Sequence, residues 1–450
     1  MLVKGMPQHE FVICTIAANM DQKGKFKYEI PENITAIYEN FLDQFLDNKA
    51  VRRVRYKLEE KEKKAVLDLI TSDAVDWNTL FDMFSVGGKY KINDFLSSEA
   101  FLEIVMEACK DKYKLTPFNK VFWTIRSMLL PIFNILLCEI PEADIYHSVS
   151  TGYAGILGAM FRYKTGKPYI ITEHGIYTRE REEEIIKASW VDVYFKHTWI
   201  DFFAGMALTA YQKADKIVSL FYGARQLQID AGADYQKCIV IPNGIRLSRF
   251  IHTEPVMDDG HPLTLGGVIR VVPIKDIKTM ISAFEVVKRK IPDARLYLIG
   301  PTDEDPDYYQ ECLDLIRTIN CPDIEFVGRV DVAQWYQKLD IVLLSSVSEG
   351  QPFVILEGMA AKRACVATNV GSCKELIEGN EDGFGAAGEI VPVMNPGLMA
   401  RAVIHMAEDR DKLREMAMNG FSRVKKFYLE EDFLRAYENL YVEVTEKWQE

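Results

Sequence analysis

The sequence lacks several motifs that would tie it to common enzyme classes. No Walker A motif occurs in its 450 residues, which disfavours ATP chemistry. Its eight cysteines include no C-x-x-C pair and no zinc-type spacing, so we expect reduced thiols in a cytoplasmic protein. The first residues also lack the charged and apolar regions of a signal peptide, which favours the same compartment.

Positive charge and long apolar runs are scarce as well. The formal net charge is −12, whereas sequence-independent nucleic-acid binding needs a basic surface, so we expect no nucleic-acid partner. The most apolar stretch, residues 121–138, is interrupted by Arg126, Pro131 and Asn134. It therefore predicts a core or surface-docked helix rather than a membrane span.

Residues 340–376 carry the sharpest structural signal. An apolar run of strand length, Ile341–Leu344, precedes a polar loop and a helical pattern that begins at Phe353. A second strand-like run, Ala364–Thr368, ends in the polar turn 369–372. Units of this kind build parallel α/β sheets, whose ligands bind beyond the carboxyl ends of the strands.

Four charged residues in the second half suit a phosphorylated sugar. Arg270 and Lys275 lie at the end of a predicted strand, where charge-assisted contacts from both would neutralise a diphosphate. Glu349 and Glu357 flank the predicted helix start, and carboxylates accept hydrogen bonds from ribose or sugar hydroxyls. Together they indicate a nucleotide-diphosphate sugar bound without a metal or other cofactor. His174, in a predicted loop of the first half, is a candidate partner for the sugar.

Other interpretations stay open at this point. Arg270 and Lys275 alone could be solvated loop cations, and His174 could be a structural histidine. The two glutamates could be hydrolase carboxylates, although hydrolases place such a pair around a bond rather than around a helix start.

Two stretches of equal span, residues 144–175 and 340–371, share one order of strand, Ser/Gly-rich loop, helix and strand. We interpret them as equivalent units of two similar α/β domains, each doubly wound. The predicted domains are residues 1–250 and 263–426, joined by a polar linker at 251–262 and followed by a terminal helix at 427–450.

Two local predictions concern the first domain. Ser150 or Thr151 is expected to cap the helix that begins near Tyr153, and the spacing of Ile37, Phe41, Phe45 and Leu46 predicts a helix. A doubly wound domain normally opens with a strand and a Gly-rich turn. Here the start reads as the end of a helix followed by a strand, so the first strand–loop unit is expected to be missing.

The segment EGQPFVILE, residues 349–357, together with Arg270 and Lys275, resembles retaining glycosyltransferase family 4. That family has the GT-B fold, in which two Rossmann-like domains face each other across a cleft. The segments HSVSTGYAGILG, TEHGIYTRERE, RVVPIKDIKT and VATNVGSCKELI are similar to its PelF-like branch, which acts in the synthesis of the biofilm exopolysaccharide Pel.

This resemblance implies a UDP-hexose donor, UDP-glucose before others, and transfer to a growing polysaccharide with retention at the anomeric carbon. It implies a cytoplasmic enzyme whose partners include inner-membrane proteins of a Pel secretion complex. The terminal helix is expected to cross back to the first domain.

The resemblance also implies roles for individual residues. Arg270 and Lys275 would hold the diphosphate and stabilise the leaving group, Glu349 would bind the donor sugar, and His174 would meet that sugar from the first domain. The implied donor-binding residues are Glu357 at the ribose, Arg329 and Val330 at the base, and Gly350, Gln351, Pro352, Phe353 and Val354. The acceptor-side candidates are Gly152, Tyr153 and Arg179.

The sequence departs from the family pattern at a few positions. Ile269 and Lys362 replace usual glycines, and Asn369 replaces a usual aspartate. The expected absence of the first strand and its Gly-rich loop puts turnover in doubt. Two alternatives therefore stand beside the transferase: a nucleotide-binding component without turnover, and another GT-B enzyme such as a sugar-nucleotide epimerase.

Overall fold

The computed structural model describes residues 1–26, 28–43, 55–71, 74–256 and 260–449. The chain divides into two compact units, the first formed by Met1–Ser219, Arg225–Ile239 and Glu438–Glu450, and the second by Leu220–Ala224 and Val240–Tyr437. The sequence-based domain boundaries stay predictions. Of the predicted features, residues 257–259 of the linker and residues Phe45 and Leu46 of the early helical pattern lie outside the described residues.

The first half of the chain contains two sheets among helices. Its strands are β1 (Phe11–Ala17), β2 (Ile34–Phe41), β3 (Tyr146–Ser148), β4 (Tyr169–Glu173), β5 (Lys216–Ser219) and β6 (Cys238–Val240). Its helices are α1 (Leu2–Gly5), α2 (Glu60–Thr71), α3 (Trp77–Phe84), α4 (Ile92–Phe95), α5 (Glu99–Asp111), α6 (Phe118–Ile135), α7 (Tyr153–Thr165), α8 (Tyr177–Lys187), α9 (Lys196–Lys213) and α10 (Tyr222–Asp230). Strands β1 and β2 pair in parallel, and a second sheet has the order β3-β4-β5-β6.

The helix predicted from Ile37 and Phe41 is wrong. Both residues lie in strand β2, where Ile37 pairs with Ile13 and Phe41 with Ala17 of β1. Two residues four apart share one face of a strand as well as one face of a helix, so this spacing alone could not separate the two structures.

The predicted side-chain cap of α7 is also wrong, although the helix begins at Tyr153 as expected. Gly152 occupies the cap position with a φ of 70° and no side-chain hydrogen bond. The hydroxyl of Thr151 donates instead to the buried carboxylate of Glu173, at 3.0 Å.

The apolar stretch at residues 121–138 lies mainly within α6. Its buried residues include Val121, Ile125, Leu129 and Phe133, and they pack into the core of the first unit. Among the helices that the structure describes, none combines the length and the apolarity needed to span a membrane.

The second unit is built on one six-stranded parallel sheet. Its strands are β7 (Thr264–Val268), β8 (Arg295–Ile299), β9 (Ile324–Gly328), β10 (Ile341–Leu344), β11 (Ala364–Thr368) and β12 (Gly388–Val391), in the order β12-β11-β10-β7-β8-β9. Its helices are α11 (Ile277–Lys290), α12 (Pro306–Ile319), α13 (Val332–Tyr336), α14 (Phe353–Ala360), α15 (Cys373–Glu378), α16 (Pro396–Glu408) and α17 (Arg410–Phe427). The strand order reverses between β7 and β10, the position at which ligands bind in doubly wound sheets.

The last helix, α18, spans Glu430–Gln449, and its residues from Glu438 onward are part of the first unit. Within that unit, Glu438 Oε2 lies 2.7 Å from His9 Nε2, and the Tyr441 hydroxyl shares a 2.9 Å hydrogen bond with His147 Nδ1. The Trp448 indole donates to the carbonyl of Gly166 at 2.7 Å. These contacts fix the end of the helix to the first unit.

Candidate functional site

A cleft of about 450 Å³ opens at the carboxyl ends of β7, β8 and β9 in the second unit. Three strand ends, the turn that holds Lys275, and the start of α14 form its walls. The lining residues are Val268, Ile269, Arg270, Lys275, Ile299, Gly300, Pro301, Gly328, Arg329, Val330, Val332, Glu349, Gln351, Pro352, Phe353 and Val354. The cleft thus lies beside the reversal of strand order, where a ligand is expected.

Lys275 and Glu349 form an ion pair in this cleft. The ammonium nitrogen lies 2.5 Å from Glu349 Oε1, and the Ser346 hydroxyl donates to the same oxygen at 2.6 Å. Two further hydrogen bonds join the Lys275 turn to the loop after β10: the Ser345 hydroxyl donates to the Lys275 carbonyl, and the Val347 amide donates to the Ile274 carbonyl. The loop and the turn therefore hold both charged groups together.

The two arginines of the cleft face carboxylates of one acidic loop. Arg270 Nη1 lies 2.9 Å from Glu304 Oε2, and Arg329 Nη2 lies 3.4 Å from Asp303 Oδ1. All four side chains are largely exposed, so these pairs are weak. A bound diphosphate would compete with Glu304 and Asp303 for the two guanidinium groups. The sequence alone did not indicate either carboxylate.

The start of α14 contributes backbone donors. Pro352, Phe353 and Val354 line the cleft, and α14 begins at Phe353 without a side-chain cap. The first N–H groups of an α-helix have no acceptor within the helix and carry its positive dipole end. They add to Arg270 and Lys275 as groups that favour an anion.

Glu357 and Gly350 do not line the cleft. Glu357 lies one turn further along α14, where its Oε2 accepts a 3.1 Å hydrogen bond from the buried Tyr336 hydroxyl. Burial raises the pKa of Glu357, while that hydrogen bond opposes the rise. Gly350 accepts a hydrogen bond from the Ser372 amide at 2.9 Å, so its carbonyl supports the loop.

Gly300 keeps the end of β8 close to β7. A Cβ at this position would lie 2.0 Å from the carbonyl oxygen of Ile269, and its φ is 150°. The Gly300 amide also donates to the Gly328 carbonyl at 3.0 Å. Because no side chain fits here, Gly300 fixes the spacing of the strand ends that form the cleft.

His174 follows β4 in the first unit. Its ring keeps an exposed face, although neighbouring atoms partly desolvate it and lower its pKa. The preceding residue, Glu173, is buried and accepts hydrogen bonds from the Tyr211 hydroxyl at 2.5 Å and the Gln228 amide at 2.9 Å. Burial raises the pKa of Glu173. This network, which the sequence did not predict, fixes the strand end that leads to His174.

Gly152 and Tyr153 lie against Tyr177 of α8. A Cβ on Gly152 would lie 2.3 Å from the Tyr177 ring, and burial raises the pKa of Tyr153 to about 12. Arg179 is exposed and pairs with Glu183 at 3.7 Å. The guanidinium group of Arg181 lies over the Tyr177 ring, 5.6 Å from the ring centroid. Arg179 stays an acceptor-side prediction, and Arg181 is a candidate that the sequence analysis did not include.

Residues 383–388, GFGAAG, have the spacing of a dinucleotide-binding fingerprint. That fingerprint follows a strand and opens a helix. Here the run instead precedes strand β12, which begins at Gly388. It therefore does not form a phosphate-binding turn.

A second, wider depression of about 660 Å³ lies in the first unit, near the start of β1 and β2. Its charged lining residues are Lys4, Glu10, Glu29 and Glu32, beside His9. With three carboxylates and one lysine, the lining of this depression would repel a diphosphate.

Two family models match the chain. The model described as "Domain of unknown function (DUF3492)" matches residues 1–236, and the model described as "Glycosyl transferases group 1" matches residues 262–409. The chain belongs to the DUF3492 family. Its second part is that of a group 1 glycosyltransferase, and the protein is therefore a transferase.

The DUF3492 glycosyltransferase has curated relatives with low sequence identity. An uncharacterized glycosyltransferase of Methanocaldococcus jannaschii is 26% identical over 310 residues, which is 68% of this chain and 78% of that protein. The Escherichia coli UDP-Gal:alpha-D-GlcNAc-diphosphoundecaprenol alpha-1,3-galactosyltransferase is 23% identical over 322 residues, 66% of this chain and 76% of that protein.

Solved structures confirm the predicted α/β GT-B fold of the DUF3492 glycosyltransferase. Anabaena HepE in complex with UDP has a TM-score of 0.54 at 18% identity, covering 66% of this chain and 78% of HepE. The sucrose-phosphate synthase of Thermosynechococcus elongatus has a TM-score of 0.54 at 19% identity, covering 67% of this chain and 73% of that enzyme.

Proposed function

We propose that this glycosyltransferase moves a hexose from a UDP-hexose, UDP-glucose before others, to a growing exopolysaccharide of the Pel type, with retention at the anomeric carbon. The observation that carries the proposal is the cleft at the ends of β7, β8 and β9, where Arg270, Lys275 and the start of α14 meet. Three kinds of positive group lining one cleft suit a diphosphate.

The geometry supports a division of labour within the cleft. Arg270 and Lys275 are placed to neutralise the diphosphate and the charge that develops on the leaving UDP. Glu349 would accept a hydrogen bond from a hydroxyl of the hexose, and the ion pair with Lys275 holds its carboxylate in position. Arg329 and Val330, at the end of β9, would border the base. The ribose role of Glu357 and the sugar role of His174 stay predictions.

Related proteins support a nucleotide-sugar donor. HepE was solved in complex with UDP-glucose, and the E. coli relative is described as a UDP-Gal-dependent galactosyltransferase. The UDP-hexose donor of the present chain is our proposal, as are its Pel-type acceptor, its inner-membrane partners and its cytoplasmic location, which come from the motif resemblance.

The reaction is also proposed to run without a metal. In the parts of the chain that the structure describes, no group of three or more His, Cys, Asp or Glu side chains is placed to hold a metal ion. The cations Arg270 and Lys275 would take over the neutralising role of a divalent metal at the diphosphate.

The experiment is product analysis by NMR after incubation of the full chain with UDP-glucose and an exopolysaccharide acceptor. Lys275→Met serves as the inactive variant, and chelator is added to a parallel sample. Free UDP together with an α-linked product supports the proposal, because the donor bond is also α. A β-linked product would contradict retention, and loss of activity with chelator would contradict metal independence.

The same experiment separates the two alternatives. An epimerised UDP-sugar without free UDP would identify an epimerase. UDP binding without any product would identify a nucleotide-binding component.

A further inference from the structure

Large apolar side chains cluster on one exposed surface of the first unit. They come from the turn between α5 and α6, the first turns of α6, and the segment between α8 and α9. Each is between 41% and 99% exposed. We name this the aromatic surface, and its residues are Leu115, Phe118, Trp123, Trp190, Val193 and Tyr194.

Specific contacts hold the two segments of the aromatic surface together. Lys120 Nζ of α6 lies 2.8 Å from Asp192 Oδ2, and the rings of Tyr113 and Phe195 lie 6.1 Å apart. Trp190 packs edge-on against Trp199 at 5.6 Å. The exposed side chains therefore project from an ordered base, although exposure of several large apolar side chains together is unfavourable in water.

The local charge differs in sign from the rest of the protein. Residues 110–123 and 186–196 contain six lysines and two aspartates and no glutamate or arginine, a formal charge of +4 in a chain of −12. Both aspartates have lysine partners, Asp192 with Lys120 at 2.8 Å and Asp111 with Lys114 at 3.8 Å. Two further lysines pair with carboxylates just outside these ranges, Lys112 with Asp201 at 3.5 Å and Lys187 with Glu183 at 3.9 Å. The six lysines are Lys110, Lys112, Lys114, Lys120, Lys187 and Lys196.

We propose that the aromatic surface docks the protein on an anionic phospholipid membrane. Trp and Tyr side chains favour the boundary between lipid headgroups and acyl chains, where an apolar ring and a polar tip are both satisfied. Leu115, Phe118 and Val193 would enter the acyl region, while the lysines contact lipid phosphates. The positive local charge favours an anionic membrane over a second copy of the chain. The net charge of a second copy is negative, but its matching surface would carry the same lysines and would repel this one.

The test is flotation of the full chain with vesicles of phosphatidylglycerol and phosphatidylethanolamine, beside vesicles of phosphatidylcholine alone. The wild-type chain is expected to float with the anionic vesicles. The double variant Trp123→Ser/Trp190→Ser should reduce the bound fraction about tenfold. Lys110→Gln/Lys114→Gln should weaken binding to the anionic vesicles and reduce its salt dependence.

The matched control is Tyr235→Ser/Met394→Ser, which removes two large exposed side chains elsewhere and should float like the wild type. Circular dichroism melts check that every variant is folded. The proposal is overturned if the folded wild type stays out of the vesicle fraction, or if the Trp123→Ser/Trp190→Ser variant floats as well as the control. It is equally overturned if the wild type is a dimer that this variant converts to a monomer, because the surface would then bind a second copy.

Discussion

Lys275 and Glu349 meet in the cleft with their charged atoms 2.5 Å apart, and their side chains are only 17% and 11% exposed. Breaking an ion pair this shielded would leave a buried charge without its partner, so each group holds the other in position. In the proposed function the two groups face different parts of one donor: the ammonium faces the diphosphate and the carboxylate faces the hexose.

The ion pair predicts different effects on UDP binding for its two members. Lys275→Met should weaken UDP binding at least about tenfold, because a charge-assisted contact is lost and Glu349 is left unpaired beside the diphosphate. Glu349→Gln should leave UDP affinity equal or higher but abolish turnover. Calorimetry measures the UDP affinity of each variant, and a UDP-release assay measures its turnover. Lys278→Met, which removes an exposed ion pair with Glu311 and a cation–π contact with Tyr308, is the control. A Lys275→Met variant that binds UDP like this control would show that Lys275 is not part of the site.

Glu357 is predicted to recognise the ribose through a carboxylate oriented by Tyr336. The wild type should prefer UDP to 2′-deoxy-UDP, and Glu357→Ala should remove that preference, at a cost of about tenfold in UDP affinity. Tyr336→Phe deletes the 3.1 Å hydrogen bond to Glu357 and should weaken the preference without abolishing it. Competition binding measures all three proteins. Equal affinity of the wild type for both nucleotides would show that Glu357 does not contact the 2′-hydroxyl.

Gly300→Ala is predicted to disturb the cleft through the backbone. The new methyl group would collide with the Ile269 carbonyl and separate the ends of β7 and β8, at a cost of about 1–3 kcal/mol in stability. The Tm should fall and UDP binding should weaken together. Gly397→Ala, where the nearest atom to a Cβ is 3.8 Å away, should change neither. A Gly300→Ala protein with wild-type Tm and affinity would contradict the close approach.

Glu173 is predicted to make stability depend on pH. Burial raises its pKa in the folded chain above the ordinary value of 4.5, so the folded state keeps a proton that the unfolded state releases. The stabilisation is fully present below the unfolded pKa and is lost as pH rises through the folded pKa. The Tm of the wild type, relative to that of Glu173→Gln, should therefore fall as pH rises from about 4.5.

Melting curves over a pH series test this sign, with the exposed Glu139→Gln as the control. A Tm difference that grows with pH would show the reverse, that the Tyr211, Gln228 and Thr151 donors favour the ionised carboxylate more than burial disfavours it.

The sequence allowed the second unit to be predicted well because its central strands β10 and β11 are buried on both faces. Such strands are continuous apolar runs, and Ile341–Leu344 and Ala364–Thr368 have the predicted bounds. Parallel strands end at one edge of a sheet, so the grouping of Arg270, Lys275 and Glu349 could also be inferred. Glu304 and Asp303 could not, because their pairing depends on the path of an exposed loop.

The first unit was harder to predict. Neither face of the β1–β2 pair is fully buried, so the spacing of its apolar residues did not distinguish a strand from a helix. The burial of Glu173 depends on Tyr211 and Gln228, which come from two distant helices. No local pattern signals such a contact.

The most direct test of the central claim is calorimetric titration of the full chain with UDP, repeated on Arg270→Ala and on Arg289→Ala. Arg289 is exposed, and its ion-pair partner among the described residues is Glu285 on its own helix, so its removal controls for loss of one positive charge. We predict that UDP binds the wild type and Arg289→Ala alike, and that Arg270→Ala weakens binding at least about tenfold. Folded wild-type protein that does not bind UDP, or Arg270→Ala protein that binds it unchanged, would contradict a donor site in this cleft.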